Sequence, residues 1–249
     1  MYWENAKNRQ KPAYLDLCLE TIKRHSPSYE IVVLNEQSVF DYIPDLRQDI
    51  GKIRKIAHRA DYIRARVIHQ LGGIWLDSDI ILLQEIEIAE YLNEVDFVGV
   101  SEEPGKPAIW FLGANPGNPI IGRWIQGMDR VLDERMGKLL VRIGLRKCRL
   151  HWTEIGYDIL WPLMADYRYH NLNFEDFAPI RFNHWNQLLQ PVGEPEDLIS
   201  ASTVSVMLYN KYMYEPLHNM SREEILQSPL LLGKLFRYSL GITAKSIPT

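Results

Sequence analysis

Cysteine is scarce in this sequence: among 249 residues only Cys18 and Cys148 occur, far apart and outside any CxxC or Cys/His spacing. That excludes a disulfide framework and a structural zinc site, and a reducing compartment fits best. A run of about 18 apolar residues, the length a membrane-crossing helix needs, is also missing. Met1-Tyr2-Trp3-Glu4-Asn5 opens without the charged and apolar stretches of a secretion signal. The expectation is therefore a cytoplasmic protein that does not span a membrane. Positive charge is not in excess either, with 28 Lys and Arg against 32 Asp and Glu. A generic nucleic-acid binder needs a dominant basic face, so that class is disfavoured. Repeats, low-complexity segments and long linkers are absent, and one domain over 1–249 is expected.

What is present is enough apolar content, 46%, to bury a sizeable core. Over 12–24 the positions Tyr14, Leu15, Cys18, Leu19 and Ile22 recur at helical spacing, and Ser26-Pro27-Ser28 breaks the pattern. The β-branched segment 29–35 reads as a buried strand stopped by Asn35. A longer amphipathic helix is expected from about Lys52 to Leu71, and Gly72-Gly73 closes it, since glycine is favoured where a helix ends left-handed. Ile74-Trp75-Leu76 then forms a strand that delivers Asp77 and Asp79 at its C-terminal end, with 80–83 extending it. Ligands of open α/β sheets bind at that end. Further strands are expected at 96–100 and 109–112, and a helix over about 120–135 after Asn115-Pro116-Gly117-Asn118-Pro119. The class is α/β.

Two carboxylates one residue apart present hard oxygens to a single Mg²⁺ or Mn²⁺, ions that keep positions open for diphosphate oxygens. Such an ion offsets charge on a departing nucleoside diphosphate, while paired glycines let a ligand approach the backbone. A DxD alone is weak, because short acidic triplets arise by chance and charged residues mostly sit solvated. Here an apolar strand and a Gly-Gly hinge precede it. Asp61 and Arg64 stand at i, i+3 on the preceding helix, where they share a face or form a surface ion pair.

Ala60, Asp61, Arg64, Gly72, Gly73, Trp75, Asp77 and Asp79, in that order and spacing, resemble the DXD sugar-binding region of glycosyltransferase family 32-like enzymes. These include α-1,4-galactosyl- and α-1,4-N-acetylglucosaminyltransferases, yeast initiating mannosyltransferases and bacterial capsular polysaccharide synthesis proteins. The resemblance runs over about 1–215 and is specific between 58 and 83. It implies a GT-A fold, Rossmann-like, with a mixed central sheet and a helical C-terminal part. Within it, 1–115 would be the nucleotide-sugar-binding half and 116–249 the acceptor side. It also implies retaining transfer from a nucleotide sugar, UDP-linked as the commonest donor, to a glycan or lipid-linked acceptor in capsular or cell-surface polysaccharide synthesis. By the same resemblance Asp61 would contact the nucleoside and Arg64 would brace the site or the donor sugar. Asp77 and Asp79 would bind metal, ribose and diphosphate, with Gly72 and Gly73 beside them.

The sequence departs from that pattern in places. In the galactosyltransferase branch a Val-His-Leu-aromatic-Asn segment supplies a His; here the run is Val206-Met207-Leu208-Tyr209-Asn210-Lys211. A thioether suits neither Mg²⁺ nor Mn²⁺. Either the metal relies on the carboxylates and another group such as Asn210, or metal affinity is weak; Asn210 and Lys211 are the donor contacts expected from this segment. His184 is either a spatial substitute or a packed, hydrogen-bonded residue. Tyr157, after Gly156, replaces the proline of a later Gly-Pro step. Only the tail of the family's first strand, which helps to seat the base, precedes Tyr2.

Between 130 and 149 stand Arg130, Arg135, Lys138, Arg142, Arg146, Lys147 and Arg149 against Asp133 and Glu134, interleaved with Leu139, Leu140, Val141, Ile143, Leu145 and Leu150. This amphipathic segment rests on anionic lipid at the inner membrane face, holds an acidic glycan, or is a solvated helix face. Lys234, Arg237 and Lys245 repeat the theme more weakly. Two other readings compete with transfer. A DxD phosphohydrolase would use Asp77 as nucleophile and Asp79 as acid/base, but expects Thr or Val where Ile81 stands. The other is a nucleotide-sugar-binding protein without catalysis. No side chain presents itself as a covalent nucleophile, so front-face attack assisted by the leaving phosphate is expected.

Overall fold

The computed structural model describes residues 1–5 and 10–243, so Lys245 lies outside the described residues. In chain order the elements are α1 (Ala13–Arg24), α2 (Val39–Tyr42), α3 (Ile56–Leu71), β1 (Gly73–Leu76), β2 (Ile80–Leu82), α4 (Ala89–Leu92), β3 (Phe97–Ser101), β4 (Pro107–Ala114), α5 (Pro119–Gly137), α6 (Leu139–Arg142), α7 (Tyr157–Leu163), β5 (Tyr169–Asn173), α8 (Phe174–Phe177), α9 (Pro195–Leu198), β6 (Ser205–Met207), α10 (Asn210–Leu217), α11 (Arg222–Gln227) and α12 (Leu231–Leu240). The α/β class and the helical C-terminal part are as expected.

Residues 1–4, 33–77 and 88–172 cluster into one compact unit. Its sheet has the order β1-β4-β3-β5. Strand β4 pairs antiparallel with β1, Gly73 opposite Ala114 and Leu76 opposite Phe111, and with β3, Phe97 opposite Ala114. Parallel pairing occurs in isolated bridges, Tyr2 with Leu34 and Ile53 with Cys148. Helices α3 and α5 pack together, and Trp75 and Trp124 are fully buried in this core. At the start of α5 the Asn118 Oδ1 accepts from Ile121 N at 3.1 Å, while Pro119 fills a position that has no intrahelical N–H bond to lose. The Asn118 amide also donates to Asp96 O, which ties the helix to the residue before β3.

Helix α3 closes at Gly72, as expected, with φ at +68°. A Cβ there would come within 2.5 Å of Pro116 Cδ, so close packing and backbone conformation both demand glycine. The helix begins at Ile56, later than its apolar stripe suggests. Long-range pairing claims the residues before it: Cys148 N donates to Lys52 O at 2.8 Å and Arg54 N to Cys148 O at 2.9 Å.

Of the described residues, 5, 10–32, 78–87 and 173–243 form the second unit. Strand β2 pairs antiparallel with β6, Ile80 opposite Met207 and Leu82 opposite Ser205. Its last residue is held from both sides, with Leu82 N donating to Thr21 Oγ1 at 3.0 Å and Ser239 Oγ donating to Leu82 O at 2.6 Å. Thr21 lies on α1 and Ser239 on α12, so the two helices fix the strand.

Three expectations are corrected. Segment 29–35 is not a strand: Leu34 alone forms a β-bridge, with Tyr2, and Ile31, Val32 and Val33 stay partly or largely exposed. Their β-propensity meets no partner strand. The residues after Asp79 do not extend β1 but form β2, which has a different partner. The basic stretch 130–149 does not present a single solvated helix face, since α5 ends at Gly137, α6 adds one turn, and Gly144 turns the chain with φ at +80°.

Candidate functional site

In the first unit the i, i+3 spacing on α3 puts Asp61 and Arg64 on one face, with Arg64 Nη2 3.5 Å from Asp61 Oδ1. The same nitrogen donates to Asp77 Oδ1 at 3.0 Å. The other arm, Nη1, donates to the carbonyl of Ile109. The guanidinium also lies 5.4 Å from the centre of the Trp75 ring, and its Nε is buried without a partner. Asp77 Oδ1 takes a second bond from Trp75 Nε1 at 2.9 Å, while its main-chain N–H continues the pairing with β4 by donating to Trp110 O. One oxygen of Asp77 is thus held by two donors, and Oδ2 receives none of the described hydrogen bonds.

Burial is the largest influence on Asp61. It lifts the carboxyl from 3.8 to about 6, against the pull of Arg64 and with the help of Asp77. Two residues that the motif did not supply join this cluster. Tyr157 has its phenol pushed up by burial, with Arg64 opposing and Asp61 adding. A Cβ on Gly156 would lie 3.2 Å from Ile109 Cδ1 and 3.8 Å from Asp61 Oδ2. Gly156 therefore lets the turn before α7 approach Ile109 of β4 closely, with Asp61 in ordinary contact.

In the second unit Asp79 ends up at the start of α10. Leu208 N donates to Asp79 O at 2.9 Å, which extends the β2/β6 ladder by one bond. Tyr209 then turns left-handed, φ +56°, the sole non-glycine residue to do so among those described. This turn aims Asn210 N at Asp79 Oδ2, 2.6 Å away. Asn210 Oδ1 in turn accepts from Tyr14 OH on α1. The carboxylate lies in a mostly buried position and satisfies an amide of a helix start, where negative charge is favoured. It also contributes, after burial, to raising the thiol of Cys18.

The remaining expected residues separate. Gly72 meets Pro116, whereas a Cβ on Gly73, at φ +85°, would face open space. Met207 is buried in β6, and Lys211 turns its ammonium to Tyr212, 5.0 Å from the ring centre. His184 is exposed in the 3₁₀ stretch Phe182–Leu189. No cluster of three or more His, Cys, Asp or Glu able to hold a metal occurs among the described residues. The two carboxylates of the DxD stretch, Asp77 and Asp79, are each held within their own unit. Mg²⁺ is commonly held by one or two carboxylates together with substrate phosphates and water, and a carboxylate oxygen such as Asp77 Oδ2 is a suitable hard ligand.

The profile of the family described as capsular polysaccharide synthesis protein matches residues 1–131. No curated protein matches the chain. Among solved structures, the PaToxG glycosyltransferase is similar at 15% identity and a TM-score of 0.42, over 96% of this chain and 84% of that one. The family match spans more than half of the 249 residues and includes the whole segment from Asp61 to Asp79. The chain belongs to the capsular polysaccharide synthesis protein family.

Proposed function

We propose that the enzyme transfers a sugar, with retention, from a UDP-linked or other nucleotide-sugar donor to a glycan or lipid-linked acceptor of a cell-surface polysaccharide, in the cytoplasm, on a GT-A scaffold. Residues 1–115 serve the donor and 116–249 the acceptor side. The observation that carries this reading is the buried Arg64 guanidinium held between Asp61 and Asp77. A guanidinium fixed by carboxylates and a carbonyl holds the carboxylate at the strand end in one orientation through its Oδ1. Asp77 and Asp79 are the proposed ligands of Mn²⁺ or Mg²⁺. That ion supplies Lewis-acid stabilisation of the charge on the departing diphosphate. Asp61 serves the nucleoside, and Gly73, Asn210 and Lys211 are further donor contacts.

In the proposed reaction the acceptor hydroxyl attacks the anomeric carbon on the face the diphosphate leaves. The new C–O bond forms as the sugar–phosphate bond breaks, and the hydroxyl proton passes to the departing phosphate oxygen. Arg64 does not touch the sugar in this scheme; it positions Asp77. The two cysteines are free and buried, in keeping with a reducing compartment.

The test is donor hydrolysis across a panel of nucleotide sugars with Mn²⁺. Asp77→Asn and Asp79→Asn should each lower turnover by about a hundredfold or more, the scale of losing one electrostatic stabiliser. Turnover of phosphomonoesters instead would establish the phosphohydrolase, and binding without turnover the non-catalytic protein.

A further inference from the structure

Residues 138–149 of the first unit hold Lys138, Arg142, Arg146, Lys147 and Arg149 and no carboxylate. They pack beside 52–55, which add Lys52, Arg54 and Lys55, through the Ile53–Cys148 bridge. Two ammonium groups brace the pair of segments on main-chain oxygens, Lys52 Nζ on Arg142 O at 3.2 Å and Lys147 Nζ on Gly51 O at 2.6 Å. Among the described residues none of these cations lies in an ion pair. By contrast Arg47, Arg59, Arg64, Arg66 and Arg135 of the same unit each face a carboxylate. Asp49 feels the charge of Lys52 without forming an ion pair with it, so the face keeps an excess of positive charge.

Apolar side chains stand out from the same face. Leu139 is 61% exposed, Ile143 54%, Leu145 72% and Leu140 39%. Their neighbours Val141, Cys148 and Leu150 are buried, so the segment has already filled its share of the core and its outward residues are surplus to it. Gly144, with φ +80°, makes the turn that lifts Leu145. Trp152, 57% exposed, stands beside them with Lys55 Nζ 5.2 Å from its ring centre.

We infer that residues 52–55 and 138–152 form a docking surface for an anionic lipid bilayer, with Ile143 and Leu145 entering the interface and the surrounding Lys and Arg resting on phosphate headgroups. The combination selects this occupant. A free acidic polysaccharide would engage the cations and leave the leucines in water. A second copy would bring a like set of cations against these. A bilayer offers anionic headgroups and hydrocarbon at the same depth, and a tryptophan suits its boundary. No helix among the described residues is long and apolar enough to cross a membrane, so the contact is peripheral. The inference stands apart from the transfer reaction, and its test reads no turnover, so either reading can fail alone.

The experiment is co-sedimentation of the full chain with vesicles of phosphatidylcholine, with and without phosphatidylglycerol. Binding is expected only with the anionic lipid. The double variant Arg142→Gln/Arg146→Gln should weaken it about twenty-fivefold, each Arg contributing about a fivefold factor at such a surface. Ile143→Ser/Leu145→Ser should weaken it at least about tenfold, since exposed side chains that enter hydrocarbon contribute by their buried area. Both pairs are exposed, and unchanged circular dichroism spectra will confirm intact folding. Equal binding to neutral vesicles, or none to anionic ones, overturns the inference. So does anionic binding indifferent to the Ser pair, which would mark a polyanion site. A Ser pair that dissolves a dimer while vesicle binding persists would assign the face to a second copy.

Discussion

Arg64 is the residue on which the first unit's polar cluster depends. It is buried, with both arms of its fork used, and Asp61 beside it is buried as well. Removing the cation by Arg64→Met leaves an uncompensated carboxyl, which costs about 3–5 kcal/mol and should show as a lower urea midpoint. Arg64→Lys keeps the charge but loses the fork, so it should retain more stability than Met while still displacing Asp77 and lowering donor turnover. Asp61 yields a pH prediction. Its proton is held more tightly in the folded chain, about 6 against 3.8. That contribution to stability is fully present below pH 3.8 and is lost as pH rises through about 6. Asp61→Asn should flatten the fall in stability over this window, measured by urea titration at several pH values; an unaltered slope would assign the fall to other groups. The Asp61–Arg64 pair was legible in the sequence because its i, i+3 spacing is a local property of a helix. Tyr157 was not, because only the folded chain brings it from 93 positions beyond Arg64 to that cluster, and no periodicity marks it.

At the scale of elements, local punctuation was readable and long-range pairing was not. The Gly72 stop, the α5 start at Pro119 and the strand leading to Asp77 were marked by glycine, proline and β-branched residues. Segment 29–35 and the late start of α3 misled because strand partners, not propensity, decided them. The turn at Gly72 predicts its own sensitivity. Gly72→Ala would place a methyl group against Pro116 at a positive φ, so a loss of about 2 kcal/mol or more is expected by thermal or urea unfolding. Gly73→Ala meets no neighbour and should cost only the strain of its φ. At α11 the sequence Ser221-Arg222-Glu223-Glu224 is a capping box, with Ser221 Oγ accepting from Glu224 N and Glu224 Oε2 from Ser221 N. Ser221→Ala should cost about 1 kcal/mol without touching donor turnover.

At the scale of the whole molecule, the DXD stretch shows why a motif can outrun a fold in legibility. Asp77 and Asp79 are covalent near neighbours, so their proximity needs no tertiary structure, yet each is held within a different unit by different partners. The pair is written in the sequence, but the bonds from Trp75 to Asp77 and from Asn210 to Asp79 are not. The proposed pair implies a ligand-linked stability that either carboxylate alone should not support. A ligand that binds only the folded chain adds RT ln(1 + [L]/Kd), about 2.7 kcal/mol at a hundredfold excess. For a chain of this size that corresponds to a rise in Tm of about 5–10 °C. UDP with Mn²⁺ should give such a rise, and UDP with a chelator a smaller one. Asp79→Asn weakens the contact with Asn210 N and lowers the starting Tm slightly, so the quantity to compare is the shift on adding ligand, not the absolute Tm. If that shift survives in both Asp77→Asn and Asp79→Asn, the diphosphate and its metal are held elsewhere.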